Sequence, residues 1–260
     1  MGTNWEVTLE VKSLPKLHKP ILIEGLPGIG NVGKITADFL VDQFKAKKLY
    51  SFFSHKFPHS VFVSSKGIVV VPKLDIYYKT FNGKKPDLLI LVGDIQPIDE
   101  ESCYSFCEEI LKIAKVNQCT EIITTGGIGL ETAPENVKVF CTANDETLLK
   151  AYTKKGFGVQ RDIFGMVGPI VGVSGILLGL GRRRGIKGVG LLAETLAHPL
   201  YLGIKGAKEI LRVIDKKHNY GINLKKMNKD IIEMEKDVLR KTQEWSEPSK
   251  LAHKEINYIG

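Results

Sequence analysis

One short segment constrains the fold of this chain more than any other. Residues 88–92 form an uninterrupted apolar run, Leu-Leu-Ile-Leu-Val. Such a run is typical of a β-strand that is covered on both faces, as in a parallel sheet flanked by helices. Residues 21–23 form a shorter run of the same kind, and a glycine-rich turn follows it. The chain is therefore predicted to contain a buried sheet.

Helical and strand patterns alternate along most of the 260 residues. Apolar residues recur at helical spacing over residues 32–44 and again over 101–116. The other predicted elements are strands at 5–11, 61–63, 68–71, 121–125, 137–141 and 188–193 and helices at 145–154 and 202–217. This alternation predicts an α/β fold with a central, mostly parallel or mixed sheet flanked by helices.

The C-terminal part of the chain has a different, densely charged composition. We predict one α/β domain over residues 1–220, a charged amphipathic helix over 221–247 and a flexible tail over 248–260. The helix carries a narrow apolar stripe that would dock on the domain or on a second subunit. The stripe residues are Met227, Ile231, Met234 and Val238.

The composition argues against several functional classes. The net charge of +8 favours anionic partners in general. However, the densest basic cluster, residues 182–184, is interpreted as a short loop, and aromatic residues do not interleave with the basic runs. We therefore expect no nucleic-acid partner. The four cysteines lack the paired spacing of a zinc site, so no bound metal is expected.

Membrane insertion and secretion are not expected either. The longest uncharged stretch, residues 165–181, has seventeen residues and is interrupted by proline and glycines. A membrane-spanning helix needs about 20 apolar residues. Residues 1–10 contain no apolar signal core. We therefore predict a cytoplasmic protein with no membrane partner.

The glycine loop after the strand at 21–23 resembles two nucleotide-binding motifs without completing either. Gly28, Gly30 and Gly33 match the G-x-G-x-x-G pattern, but the region around residues 48–53 lacks the acidic residue that a dinucleotide site requires. Lys34 completes most of a phosphate-binding loop, yet isoleucine follows it where Ser or Thr should hold magnesium. No cofactor is expected. An anion site formed by these four residues remains the alternative, with Asp94 and Glu194 as polar partners.

Ser174 lies in a segment similar to the nucleophile elbow of serine hydrolases, but its second glycine comes one position early. A triad would also need an acid and a histidine, and Glu194 and His198 share one later segment with nothing to place them near Ser174. No set of acid, base and nucleophile is complete. We therefore predict no catalytic residues and no enzyme activity, with phosphorylase-like or hydrolase chemistry as the alternative.

Five short motifs, taken in order, carry a family resemblance over residues 15–215. They are GLPGIGNVG at 25–33, GDIQP at 93–97, TTGGI at 124–128, GPIVGVSG at 168–175 and LLAET at 191–195. Together they resemble the proteasome assembly chaperone 2 family, in an archaeal or bacterial form. Any one motif is weak, whereas five in the correct order are specific.

The resemblance implies a nucleoside-phosphorylase-like fold and a homo-oligomeric chaperone that is not an enzyme. Its implied partners are proteasome α subunits or the α ring, with a second assembly chaperone as a further candidate. Tails of this family can end in a hydrophobic residue, tyrosine and any residue, and the implied contact residues here are Ile256, Tyr258, Ile259 and Gly260. In this chain the tyrosine is third from last and asparagine precedes it. A shifted contact through Ile259 and an uninvolved tail both remain open.

Overall fold

The computed structural model describes residues 5–64, 66–83, 85–161, 168–199, 201–225 and 227–228. The chain divides into two compact units, Met1–Leu224 and Lys225–Gly260. All the strands and helices given below belong to the first unit. Most of the predicted C-terminal helix and the whole predicted tail lie outside the described residues.

Nine strands form one mixed sheet in the order β1-β3-β6-β7-β2-β8-β11-β9-β10. The four central strands, β7, β2, β8 and β11, are parallel to one another, and antiparallel pairs flank them on each side. The strands are β1 Glu6–Leu9, β2 Ile21–Gly25, β3 Lys47–Phe53, β6 Leu74–Lys79, β7 Leu88–Gly93, β8 Glu121–Leu130, β9 Val139–Ala143, β10 Val159–Gln160 and β11 Gly188–Leu196. A separate hairpin contains β4 Phe62–Val63 and β5 Val69–Val70. The predicted mixed α/β sheet is confirmed.

Four of the five helices pack on the sheet as two pairs, and the remaining short helix packs on β9 and β11. The helices are α1 Val32–Phe44, α2 Glu100–Val116, α3 Glu146–Tyr152, α4 Val173–Arg183 and α5 Ile204–His218, and a 3-10 turn at Ile29–Asn31 precedes α1. Helix α1 packs beside α5, and α2 packs beside α4. Asp99 and Asp145 cap α2 and α3, because each side chain accepts a hydrogen bond from a backbone N–H in the first turn.

Strand β7 lies at the centre of the core. All six of its residues are buried, as the apolar run predicts. Leu89 and Leu91 belong to the same cluster as Phe106 and Ile110 of α2. The ring of Trp5 joins this cluster, with its centroid 4.7 Å from that of Phe106. Burial of this apolar surface is the main source of stability for such a fold.

The structure corrects two of the predicted features. The strand predicted at residues 5–11 exists as β1, but all four of its residues are exposed at the edge of the sheet rather than half-buried. Arg182 and Arg183, interpreted as a loop, lie in the last turn of α4. Helix propensity does not predict α4, because the helix contains three glycines. One of them, Gly175, is required, since a Cβ there would lie 2.1 Å from the carbonyl oxygen of Ile170.

Candidate functional site

A cavity of about 420 Å³ opens at the carboxyl ends of the parallel strands β2, β7 and β8. This edge of a parallel sheet is where α/β proteins usually bind ligands. All five sequence motifs contribute to its wall. They supply residues 26–29 and Gly33, Gln96, residues 125–128, residues 168–171 with Ser174, and Leu192. Segments far apart in the chain therefore build one cleft.

Glu24 lies beneath this cleft and is the most perturbed acid there. It belongs to β2 and is fully buried. Its carboxylate accepts hydrogen bonds from the Leu26 backbone N–H (3.1 Å) and from the Ser174 hydroxyl (2.8 Å). Burial raises the pKa of Glu24 to about 7, and these hydrogen bonds oppose the rise. The Thr125 hydroxyl donates to the Glu24 carbonyl oxygen at 2.8 Å.

The carboxyl partner of Ser174 is therefore Glu24. From the sequence alone, the candidate acid was Glu194. It lies in the first turn of α4 and lines the cavity. Glu194 accepts a hydrogen bond from the Lys138 backbone N–H at 3.0 Å, on the β9 side of β11. His198 is exposed. The Ser174 hydroxyl is thus held by an acid with a pKa near 7, and an imidazole is not part of this contact.

The glycines of the loop serve close packing between strand and helix. A Cβ on Gly25 would lie 2.1 Å from the carbonyl oxygen of Gly33, and one on Gly33 would lie 2.4 Å from that of Thr125. Gly30 adopts a positive φ of 60° and faces the Thr195 hydroxyl. Real Cβ atoms do not tolerate these distances, so larger residues would separate α1 from the sheet.

Gly28 behaves differently from the other loop glycines. A Cβ on Gly28 would meet nothing within 4 Å, and this residue lines the cavity. Its φ of −166° is extended backbone that any residue can adopt. The absence of a side chain at Gly28 therefore keeps the cavity open. It is not required for close packing of α1 on the sheet.

Lys34 neutralises carboxylates at the end of β7. Its Nζ lies 3.0 Å from Asp38, 3.8 Å from Asp94 and 3.0 Å from the Gly93 carbonyl oxygen. Burial raises the pKa of Asp38, and the charge of Lys34 opposes the rise. Gly28, Gly30, Gly33 and Lys34 are thus brought together on one loop and helix, with the lysine ammonium group directed at acidic partners.

Gln96 links three of the motifs, a role that sequence reasoning missed. Its side-chain amide donates to the Pro27 carbonyl oxygen at 2.8 Å, and its oxygen accepts from the Val173 backbone N–H at 3.3 Å. Gly172, with φ of 84°, makes room for it, because a Cβ there would lie 2.4 Å from the Gln96 oxygen. One feature of the sequence could have indicated this role. Gln96 is a single amide residue between two apolar residues of its motif, at positions 95 and 97.

Two other candidate sets are placed as follows. Of the helix stripe, Met227 is described and is buried, whereas Ile231, Met234 and Val238 lie outside the described residues. The tail residues Ile256, Tyr258, Ile259 and Gly260 also lie outside them.

Within the described part of the chain, histidine, cysteine and acidic residues form no group of three that could hold a metal ion. Among those same residues, none of the helices is long and apolar enough to cross a membrane.

Comparison with known proteins defines the class of this protein. The model of the PAC2 family matches residues 22–241, so the chain belongs to the PAC2 family. This membership confirms the resemblance carried by the five motifs.

Individual relatives extend the match along the whole fold. An uncharacterized protein of Methanocaldococcus jannaschii is 32% identical over 224 residues, which are 86% of this chain and 83% of that protein. The crystal structure of Pyrococcus furiosus PbaB, an archaeal proteasome activator, superposes with a TM-score of 0.84 and 30% identity, over 93% of this chain and all of that one. Pyrococcus furiosus PbaA, an archaeal homolog of proteasome-assembly chaperone, shares the fold, with a TM-score of 0.73, 24% identity and 92% of each chain covered.

Proposed function

We propose that this chain is a non-enzymatic, cytoplasmic factor that binds proteasome α subunits or the α ring and acts as a homo-oligomer. One observation carries the proposal. The chain matches PbaB, described as an archaeal proteasome activator, over the whole of that protein at 30% identity. Its match to the PAC2 family over residues 22–241 supports the same conclusion.

The contacts of the cleft residues can be explained by structural roles within the fold. The Ser174 hydroxyl donates to the buried carboxyl group of Glu24, and this hydrogen bond joins α4 to β2. Gly25 at the end of β2, together with Gly30 and Gly33, allows strand and helix to approach closely. Lys34 is paired with Asp38 and Asp94. These features account for the loop through packing, which a binding protein needs as much as an enzyme does.

The C-terminal tail is the proposed point of contact with the α ring. Gly260 is included in the proposed contact segment. Tyr258 would fill a pocket with its ring while its hydroxyl finds a polar partner. Ile256 and Ile259 supply apolar surface on either side of it. The stripe of Met227, Ile231, Met234 and Val238 is proposed to support self-association.

Binding to isolated α rings tests this proposal. The full-length chain, a version ending at Lys254 and the variant Tyr258→Ala are compared at low salt. We expect the full-length chain to bind and the other two to bind at least tenfold more weakly. Binding retained by the shortened version would move the contact to the folded domain and overturn the tail assignment. Failure of all three versions to bind would contradict the proposed function.

Two further readouts separate assembly from activation. The chain is added to free α and β subunits while proteasome formation is followed, with and without a second assembly chaperone. It is also added to finished proteasomes while peptide hydrolysis is measured. A faster or more complete assembly defines an assembly chaperone, and an effect confined to the finished particle defines an activator. No effect in either assay would leave ring binding without a consequence and contradict the proposal.

The cavity favours a second candidate function, the binding of a nucleoside, nucleotide or phosphate. Of the four residues of the candidate anion site, Gly28 and Gly33 line the cavity, whereas Gly30 and Lys34 are not among its lining residues. Its volume of about 420 Å³ and its place at the strand ends suit a small ligand. A ligand that binds only the folded state raises its melting temperature. The variant Gly28→Val, whose side chain would extend into open space at the cavity wall, is the control. Stabilisation of the parent chain but not of the variant would support this function.

A further inference from the structure

The cavity at the strand ends lies where β2 would continue if it were longer. Strand β2 ends at Gly25, and the two residues that follow it line the cavity. Its neighbour β8 pairs with β2 only as far as Thr124, whereas it stays paired with β11 as far as Leu130. Beyond Thr124, no strand that the structure describes lies beside this edge of β8. Residues 125–129 all line the cavity, so open strand backbone forms part of its wall.

This open edge of β8 offers both hydrogen-bond donors and acceptors. The Leu130 carbonyl oxygen accepts a hydrogen bond from the Ala197 N–H at 2.8 Å, on the β11 side of the strand. The backbone groups of successive residues point to opposite sides of a strand. Gly127 and Gly129 therefore direct their N–H and C=O groups towards the open edge. Such an edge pairs with a molecule that carries donors and acceptors side by side, as a peptide group does.

The polar side chains of the cavity are uncharged. They belong to Gln96, Thr125 and Ser174, and none of the described lining residues is Lys, Arg, His, Asp or Glu. The Gln96 amide donates one hydrogen to the Pro27 carbonyl oxygen at 2.8 Å and has a second hydrogen for a ligand. Lys34 does not line the cavity and is paired with two carboxylates. A phosphate group would therefore find no cation among the described lining residues, although phosphate sites usually provide one.

A buried carboxyl group behind the cavity wall opposes the binding of an anion. Glu24 is fully buried and accepts a hydrogen bond from the Ser174 hydroxyl at 2.8 Å. Ser174 lines the cavity from the first turn of α4, so Glu24 already supplies the negative charge that a helix N-terminus favours. A bound phosphate would place a second negative charge nearby, and like charges weaken binding. Because the hydroxyl hydrogen of Ser174 is used on Glu24, Ser174 offers a ligand an acceptor.

An uncharged heterocycle with donors and acceptors along its edge suits all these groups. A nucleobase is such a molecule, and a nucleoside adds sugar hydroxyls that can donate to Ser174. We propose that the cavity binds a nucleobase or nucleoside and discriminates against nucleotides and free phosphate. The volume of about 420 Å³ lies within the range of small-molecule sites. This inference rests on the second candidate function, the binding of a small ligand in the cavity, and is independent of ring binding.

Calorimetric titration of the full-length chain with matched probes tests this selectivity. Adenosine and uridine are each compared with the corresponding monophosphate, and inorganic phosphate is a further probe. The titrations are made at about pH 8, because burial raises the pKa of Glu24 to about 7 and its carboxyl group is then mostly ionised. We expect at least one nucleoside to bind, and to bind about tenfold more tightly than its monophosphate.

The outcomes separate this inference from the function on which it rests. A monophosphate or phosphate that binds as tightly as the nucleosides would overturn the inference and leave small-ligand binding in place. Failure of all the probes to bind would overturn both. The variant Gly28→Val adds a side chain at the cavity wall and should abolish nucleoside binding. Unchanged binding to Gly28→Val would place the ligand elsewhere and overturn the inference.

The variant Glu24→Gln tests whether the buried carboxylate sets the preference. The Leu26 N–H donates to one oxygen of Glu24 at 3.1 Å, so a glutamine would keep its oxygen there and turn its NH2 group to Ser174. The charge is then removed, and the Ser174 hydrogen is free to donate into the cavity. The preference for nucleoside over monophosphate should fall by about tenfold. The exposed Glu101→Gln should keep the parent preference, and an unchanged preference in Glu24→Gln would overturn the inference.

A second variant keeps the test valid if Glu24→Gln does not fold. Ser174→Ala retains the charge of Glu24 and removes the acceptor. It should weaken nucleoside binding by about fivefold without improving monophosphate binding. Full nucleoside affinity in Ser174→Ala would contradict the assigned contact.

Discussion

Strand β7 and the hairpin of β4 and β5 are similar in composition and opposite in environment. β7 is a run of Leu, Ile and Val, and residues 61–63 and 68–71 are runs of Val, Phe and Ile. Even so, β7 is buried throughout, whereas residues 61–71 expose six apolar side chains. β7 has β6 on one edge, β2 on the other and α2 against its leucines. Within the described residues, the strands of the hairpin pair only with each other. An apolar run therefore predicts a strand, whereas its cover depends on elements elsewhere in the chain.

The largest difference is expected from the same substitution at a covered and an uncovered position. Ile90 in β7 is fully buried, and Ile98 is 76% exposed. Ile90→Ala should lower the free energy of unfolding by about 2–5 kcal/mol, since it removes buried surface and leaves a cavity. Ile98→Ala should change it by less than about 0.5 kcal/mol. Urea unfolding of both variants measures the difference, and equal losses would contradict the contrast.

The buried acid of the core should make stability depend on pH. Burial raises the pKa of Glu24 from 4.5 to about 7, so the folded chain keeps a proton that the unfolded chain loses between these pH values. This contribution to stability is present below pH 4.5 and is lost as pH rises towards 7. The difference between the two pKa values corresponds to about 3 kcal/mol. Glu24→Gln should abolish that loss.

A difference measurement is needed, because another buried group acts in the opposite direction. Burial lowers the pKa of His218 to about 4, so its contribution rises between pH 4 and 6.5. Subtracting the unfolding curve of Glu24→Gln from that of the parent chain removes this term. The exposed Glu101→Gln is the control. A pH-independent difference between parent and Glu24→Gln would refute the assignment to Glu24.

Adding a Cβ atom should destabilise the fold at a closely packed glycine and have little effect at a glycine that faces open space. Gly25→Ala places a Cβ 2.1 Å from a backbone oxygen and should cost about 1–3 kcal/mol. Gly28→Ala meets nothing within 4 Å and should cost less than about 0.5 kcal/mol. Thermal unfolding of the two variants provides the comparison. Similar melting temperatures would mean that the loop is not packed as described.

The smallest effect is expected within the hairpin itself. Val69→Thr replaces one β-branched residue by another, and the position is exposed. In dilute solution, where the chain is unassociated, the free energy of unfolding should change by less than about 0.5 kcal/mol. Chemical denaturation at nanomolar concentration measures this change. A loss above about 2 kcal/mol would show that the chain itself already covers Val69.

Most of the regular structure could be predicted from local pattern. The bounds of α1 and β7 follow from apolar spacing. The five motifs were used to infer the family, and the structure adds that residues from all of them line the cleft. Strands β3 and β6 were not recognised, and three glycines concealed α4. Tertiary packing stabilises these elements more than their own propensities do.

The contacts within the cleft were less accessible to sequence reasoning. Ser174 and Glu24 are 150 positions apart, and the packing of α4 on the sheet, not a local pattern, brings them together. One signal was present, since Glu24 is a charged residue that ends the apolar run of β2. A buried acid in a central strand requires hydrogen-bond partners, which here are Ser174 and the Leu26 backbone. The hairpin was predicted as two strands, but nothing in its sequence showed that it is exposed.

Amide hydrogen exchange of residues 61–71 tests the contrast between covered and uncovered runs most directly. The full chain is measured at a concentration at which it does not associate. The account predicts that hairpin amides exchange fast, because the hairpin is open to solvent. Amides of β7 should remain protected in the same sample. Equal protection of the hairpin and of β7 would contradict the account.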